Sequence, residues 1–134
     1  MKLLLALLIG TLFSPVGALT IKYSEDVVIE FAPRSSVVTA TAARTIQQVV
    51  ERAGKRCSAS GIELVALEAV VDPRYRAVAS DRNSSLRKTL TQFGTPGQRI
   101  HQSTFEAQSP PDYLRSGVRS DSVHLQLVCT PSDA

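Results

Sequence analysis

"RNSSLRKTLTQFGTPGQRI", Arg82–Ile100, holds the residue on which the fold reading turns. At about 100° per residue, Tyr75, Val78, Leu86, Leu90 and Phe93 fall on one side of a helix that Gly94 ends. Arg82 falls in the middle of that apolar stripe. A guanidinium there is costly unless it is paired or reaches water. The charge is therefore placed for a reason, either a ligand or an internal partner.

Working outward from it, "DP" (Asp72-Pro73) reads as the opening of this helix, with Asp72 as N-cap and Pro73 at the first helical position. Ahead of it, "GIELVALEAVV" (Gly61–Val71) is a nearly continuous apolar run, expected as a central strand covered on both faces. "TATAARTIQQVVERAGKRC" (Thr39–Cys57) is a second helix, its stripe running through Ile46, Val49, Val50, Ala53 and Cys57. "LTIKYS" (Leu19–Ser24) and "DVVIEFAP" (Asp26–Pro33) read as two opening strands. "RIHQSTFEA" (Arg99–Ala107) and "SVHLQLVC" (Ser122–Cys129) are further strands, separated by a polar loop with a short turn at "DYLR". The residues thus give the order β-β-α-β-α-β-β. Both helices are expected on one side of a small mixed sheet, an α+β fold.

The chain has 134 residues, which fits one domain. Residues 1–18 read as a secretory signal peptide: Lys2, an apolar run from Leu3 to Leu8, and small residues at Val16 and Ala18 before the cut. The run is short for a membrane span, so residues 19–134 are expected as one periplasmic domain with no transmembrane segment. Export places Cys57 and Cys129 in an oxidising compartment, where an even pair reads as a disulfide, with two free buried thiols as the alternative. An antiparallel arrangement of the last strand and the Gly61 strand would bring the two cysteines together.

Charge excludes little but excludes it clearly. Without Lys2, fourteen basic residues face twelve acidic ones, no footprint for nucleic acid. Seven aromatics and no Trp provide no stacking platform. Two distant cysteines and two histidines, His101 and His124, make no metal site, and no cofactor motif is present. There is no G-x-S-x-G turn, and Glu63 and Glu68 fall on opposite faces of one strand rather than forming a carboxylate dyad. The chain is not expected to be an enzyme.

Val78-Ala79, Arg82, Leu90, Gly94, Ile100 and Pro110 stand at spacings that resemble the OmpA-like peptidoglycan-binding domain of Gram-negative envelopes, as a degenerate member. "IEFAPRSSVV" is similar to that family's opening strand and serine-containing loop, and "SGVRSDSVHLQL" to its arginine-bearing approach to the last strand. The resemblance spans most of residues 26–128 and implies a β-α-β-α-β-β fold. It also implies a noncatalytic module that grips the diaminopimelate of a peptidoglycan stem peptide. In that scheme Arg82 binds the ligand's carboxylate, Asp72 its ammonium group, and Arg119 lines the same cleft.

The chain departs from the family around Asp72. "AVVD" stands where the family has glycine-histidine-threonine-aspartate, and the stretch from Asp72 to Arg82 is about five residues shorter than its counterpart. Two readings of Arg82 follow: a carboxylate anchor, or a charge that snorkels or pairs with Asp72 or Asp81. Two function classes follow with them. One is a peptidoglycan binder. The other is a protein-interaction or accessory module of an envelope or secretion machine, on the same fold with the ligand cleft lost.

Overall fold

The computed structural model describes residues 21–107 and 119–132. The expected signal peptide, the residues Leu19 and Thr20, the "DYLR" turn and Pro110 lie outside the described residues. The described chain runs β1 (Tyr23–Glu30), α1 (Ala40–Arg56), β2 (Leu64–Val71), α2 (Arg76–Gln92), a short 3-10 turn (Gly97–Arg99), β3 (Ile100–Glu106) and β4 (Ser122–Cys129). The strands form one mixed sheet in the order β1-β4-β2-β3, with β4 antiparallel to both neighbours and β2 parallel to β3. Two helices pack on one side of this sheet, so the α+β expectation holds.

The two opening strands expected from the sequence are one. The polar "SED" between them (Ser24–Asp26) looks like a break, yet β1 alternates without interruption from Tyr23 to Glu30. Glu25 points to the helix side, where Arg52 of α1 meets its carboxylate with Nε at 2.9 Å and Nη2 at 3.2 Å. The Tyr23 hydroxyl donates to the same carboxylate. Glu25 thus keeps its place in the alternation as a half-buried carboxylate satisfied by charge-assisted bonds.

Helix α1 forms as its stripe dictates. The Thr39 hydroxyl accepts from the Ala42 N–H at 3.1 Å and caps the first turn. Ile46, Val49 and Ala53 are buried against the inward faces of β1, β2 and β4, where Ile29, Val65, Leu67, Val123, Leu125 and Leu127 complete one continuous core. Leu86 and Leu90 of α2 enter the same core.

Two further expectations are corrected. β2 is an inner strand, but both helices stand on one of its faces. Leu64, Ala66 and Glu68 alternate to the other face and are only half-buried, while Val70 further along is buried, so the apolar run overstated the coverage over most of the strand. Asp72 does not cap α2, because the helix begins at Arg76 after a turn in which the Tyr75 N–H bonds the Asp72 carbonyl at 2.9 Å.

Cys57 and Cys129 form a disulfide with a Cα–Cα distance of 5.6 Å. It ties the end of α1 to the end of β4, where Ser58 N–H also bonds the Thr130 carbonyl and Ser132 N–H the Arg56 carbonyl. The antiparallel pairing of β4 with β2 supplies this closure, as the sequence argument required.

Candidate ligand pocket

A pocket of about 330 Å³ opens beyond the end of β2. Its walls come from four separate pieces of chain: Pro33 and Arg34 after β1; Val70, Asp72, Arg74 and Tyr75 at and after the end of β2; Val78, Ala79 and Arg82 on α2; and Ser120 with Asp121 before β4. The volume is at the lower end of what small-molecule sites occupy.

Arg82 forms the floor. It is 2% exposed, and its guanidinium lies 5.2 Å from the centre of the Phe31 ring. Nε donates to the Ser35 carbonyl at 2.8 Å, and Nη2 to the Ala32 carbonyl at 3.2 Å. Nη2 also donates to Asp121 Oδ1 at 3.1 Å, while Nη1 lies 3.5 Å from the Ser120 carbonyl. The misplaced charge on the apolar stripe is therefore solvated by protein. Its acidic partner is Asp121, not Asp72 or Asp81. Three of its four acceptors are backbone carbonyls, which fixes the loop after β1 and the approach to β4 against α2.

Asp72 sits on the pocket wall and is also engaged. Its Oδ1 accepts from the Arg74 N–H at 2.9 Å, an Asx turn, and the Arg74 guanidinium clasps both oxygens at 3.2 and 3.1 Å. Those bonds from Arg74, side chain first and backbone second, hold the Asp72 carboxyl below its ordinary value of 3.8. Arg119 pairs with Glu30 at 2.7 Å on the surface and lines a neighbouring depression with Phe31, Ser120 and Asp121, outside the lining of the Arg82 pocket. The structure thus brings Arg82 and Asp72 to one pocket and sets Arg119 beside it.

Four charged or aromatic pocket residues are not apparent as site residues in the sequence: Arg34, Arg74, Tyr75 and Asp121. Tyr75 was counted in the helix stripe, but it precedes α2 and is 40% exposed. Both guanidiniums lie against its ring, Arg34 at 5.4 Å and Arg74 at 5.8 Å from the centroid. The available sequence cue was Pro33, which favours a turn with Arg34 at its third position. Among the described residues, no group of three His, Cys, Asp or Glu side chains could hold a metal ion. No described helix is long and apolar enough to cross a membrane.

Comparison with known proteins places this architecture. No protein-family profile matches the chain, and no curated protein does. Solved structures do match. The OmpA-like domain of FopA1 from Francisella tularensis subsp. tularensis SCHU S4 is 13% identical with a TM-score of 0.61, over 84% of this chain and 77% of that one. The periplasmic domain of Helicobacter pylori MotB is 15% identical with a TM-score of 0.55, over 83% of this chain and 78% of that one. The peptidoglycan-associated lipoprotein from Burkholderia pseudomallei is 15% identical with a TM-score of 0.50, over 75% of this chain and 87% of that one. At such identities the likeness is one of fold, and the fold is that of the OmpA-like domain.

Proposed function

We propose that this protein is a noncatalytic periplasmic module that holds a peptidoglycan stem peptide in the pocket above Arg82. The observation that carries the reading is the pocket itself, which joins arginines and aspartates over a buried guanidinium at the end of β2. Diaminopimelate bears both carboxylate and ammonium groups, and a wall with both signs of charge complements it. Guanidinium forks match carboxylates bidentately, and such charge-assisted bonds are the strong ones. In this reading a ligand carboxylate displaces Asp121 from Arg82 Nη2, and Asp72 faces the ammonium group. Asp121 is suited to yielding, because its side chain is 41% exposed and can return to water. The resemblance of fold to a peptidoglycan-associated lipoprotein supports the reading without assigning the residues.

The test is retention on purified diaminopimelate-type peptidoglycan, with release by the soluble stem tripeptide and weakening by salt. Retention reduced in Arg82→Lys, with the circular dichroism of the wild type, supports the role of the fork. A folded wild type that is not retained would sink the proposal.

A second reading is favoured by a specific feature, the internal engagement of both key charges. Arg82 is held by Asp121 and carbonyls, and Asp72 by Arg74. A domain with its cleft charges already satisfied suits an interaction module of the envelope. Absent wall binding together with capture of an exported partner on this face would favour that reading.

A further inference from the structure

Counting charges around the pocket singles out one arginine. Asp72 is clasped by Arg74, and Asp121 pairs with Arg82. Arg34 lines the same pocket, is exposed, and makes no ion pair among the described residues. Among the described residues, its guanidinium lies against the face of Tyr75. The pocket thus carries one surplus positive charge at its mouth.

The backbone under Arg34 is unusual. The Ser35 N–H bonds the Ala32 carbonyl at 3.0 Å, closing a turn with Pro33 second and Arg34 third. Arg34 has φ +57°, the left-handed region that glycine occupies freely at that turn position. An arginine held there is strained, and such strain is found where the side chain has a function. The same turn is gripped from below, since the Ala32 and Ser35 carbonyls are the acceptors of Arg82. Arg82 therefore sets the turn, and the turn presents Arg34 over Tyr75 at the pocket mouth.

We infer that Arg34, stacked on Tyr75, is a carboxylate-binding residue of this pocket, taking a second carboxylate of the ligand. The inference rests on the stem-peptide reading and narrows its substrate class to peptides with free carboxylates on neighbouring residues. Arg34→Gly separates the roles. Glycine relieves the left-handed strain while removing the guanidinium, so the variant melts at or above the wild-type temperature yet binds more weakly. A purely structural arginine would not produce that opposition.

The experiment is calorimetric titration of the purified protein with the diaminopimelate stem tripeptide, and with versions in which one carboxylate at a time is an amide. The wild type is expected to lose about tenfold in affinity for one amidated version. Arg34→Gly is expected to bind the free acid about tenfold more weakly and to ignore that same amidation. A wild type that binds all versions equally, or an Arg34→Gly protein that keeps the wild-type affinity and preference, overturns the assignment and leaves the stem-peptide reading standing. A wild type that binds none of the probes overturns both.

Discussion

Removing the Arg82 side chain tests the packing argument most directly. Arg82→Ala deletes a guanidinium with well-formed bonds to the Ser35 and Ala32 carbonyls and to Asp121. Hydrogen bonds to a charged group contribute roughly 1.5–3 kcal/mol each. Asp121 is 41% exposed and the neighbourhood of Ala32 reaches solvent, so water recovers part of the loss. Two of these bonds lost outright, at the lower end of that range, with water recovering the third, come to about 3–4 kcal/mol. We expect about 3–4 kcal/mol for Arg82→Ala. At roughly 4 °C per kcal/mol for a domain of this size, that lowers the melting temperature by roughly 12–16 °C. Asp121→Asn should cost under about 1 kcal/mol, because its amide oxygen still accepts and its site is open to water. Urea titrations of the three proteins, with the m-value held constant, measure the asymmetry. An Arg82→Ala protein within about 1 kcal/mol of wild type would refute the view that this guanidinium ties two loops to α2.

The remaining expectations can be checked on the same material. Replacing both Cys57 and Cys129 by alanine should cost about 4 kcal/mol, from the loop entropy of a disulfide spanning 72 residues, read as a shift in urea midpoint. An unchanged midpoint would place the stabilisation elsewhere. Thr39→Ala removes the cap of α1 and should cost about 1 kcal/mol. Glu25 is held below its ordinary carboxyl value of 4.5 by the hydrogen bonds from Arg52 and then from Tyr23. A depressed folded value means that the stabilisation is complete above 4.5 and is lost as pH falls through the lower folded value. Glu25→Gln should therefore be less stable than wild type at neutral pH, with the difference closing as pH falls through the depressed folded value. A gap in melting temperature that persists in strong acid would contradict this.

The site was partly legible. Arg82 was visible as an anomaly because helical periodicity assigns faces from local spacing alone. Its partners were not visible, since backbone carbonyls belong to every residue and leave no mark in the sequence. Asp72 followed the local rule for an N-cap, yet Arg74 next to it offered its carboxylate two charged donors and a backbone N–H. Those bonds hold Asp72 in a turn and start α2 at Arg76. Arg34 was missed because nothing about an arginine announces a positive φ.

Periodicity and cysteine chemistry by themselves pointed to two helices on a mixed sheet, to the Gly61–Val71 strand as an inner one, and to Cys57 and Cys129 as a pair. These follow from burying apolar stripes, which are readable along the chain, and from an even cysteine pair, which reads as a disulfide where export is expected. Tertiary structure alone decided what the charges do. The acceptors of Arg82 lie 47 and 50 residues away in the turn after β1, and its acid lies 39 residues away before β4. Whether a buried guanidinium serves a ligand or the fold depends on which groups reach it first, and that is fixed only when distant segments close over it.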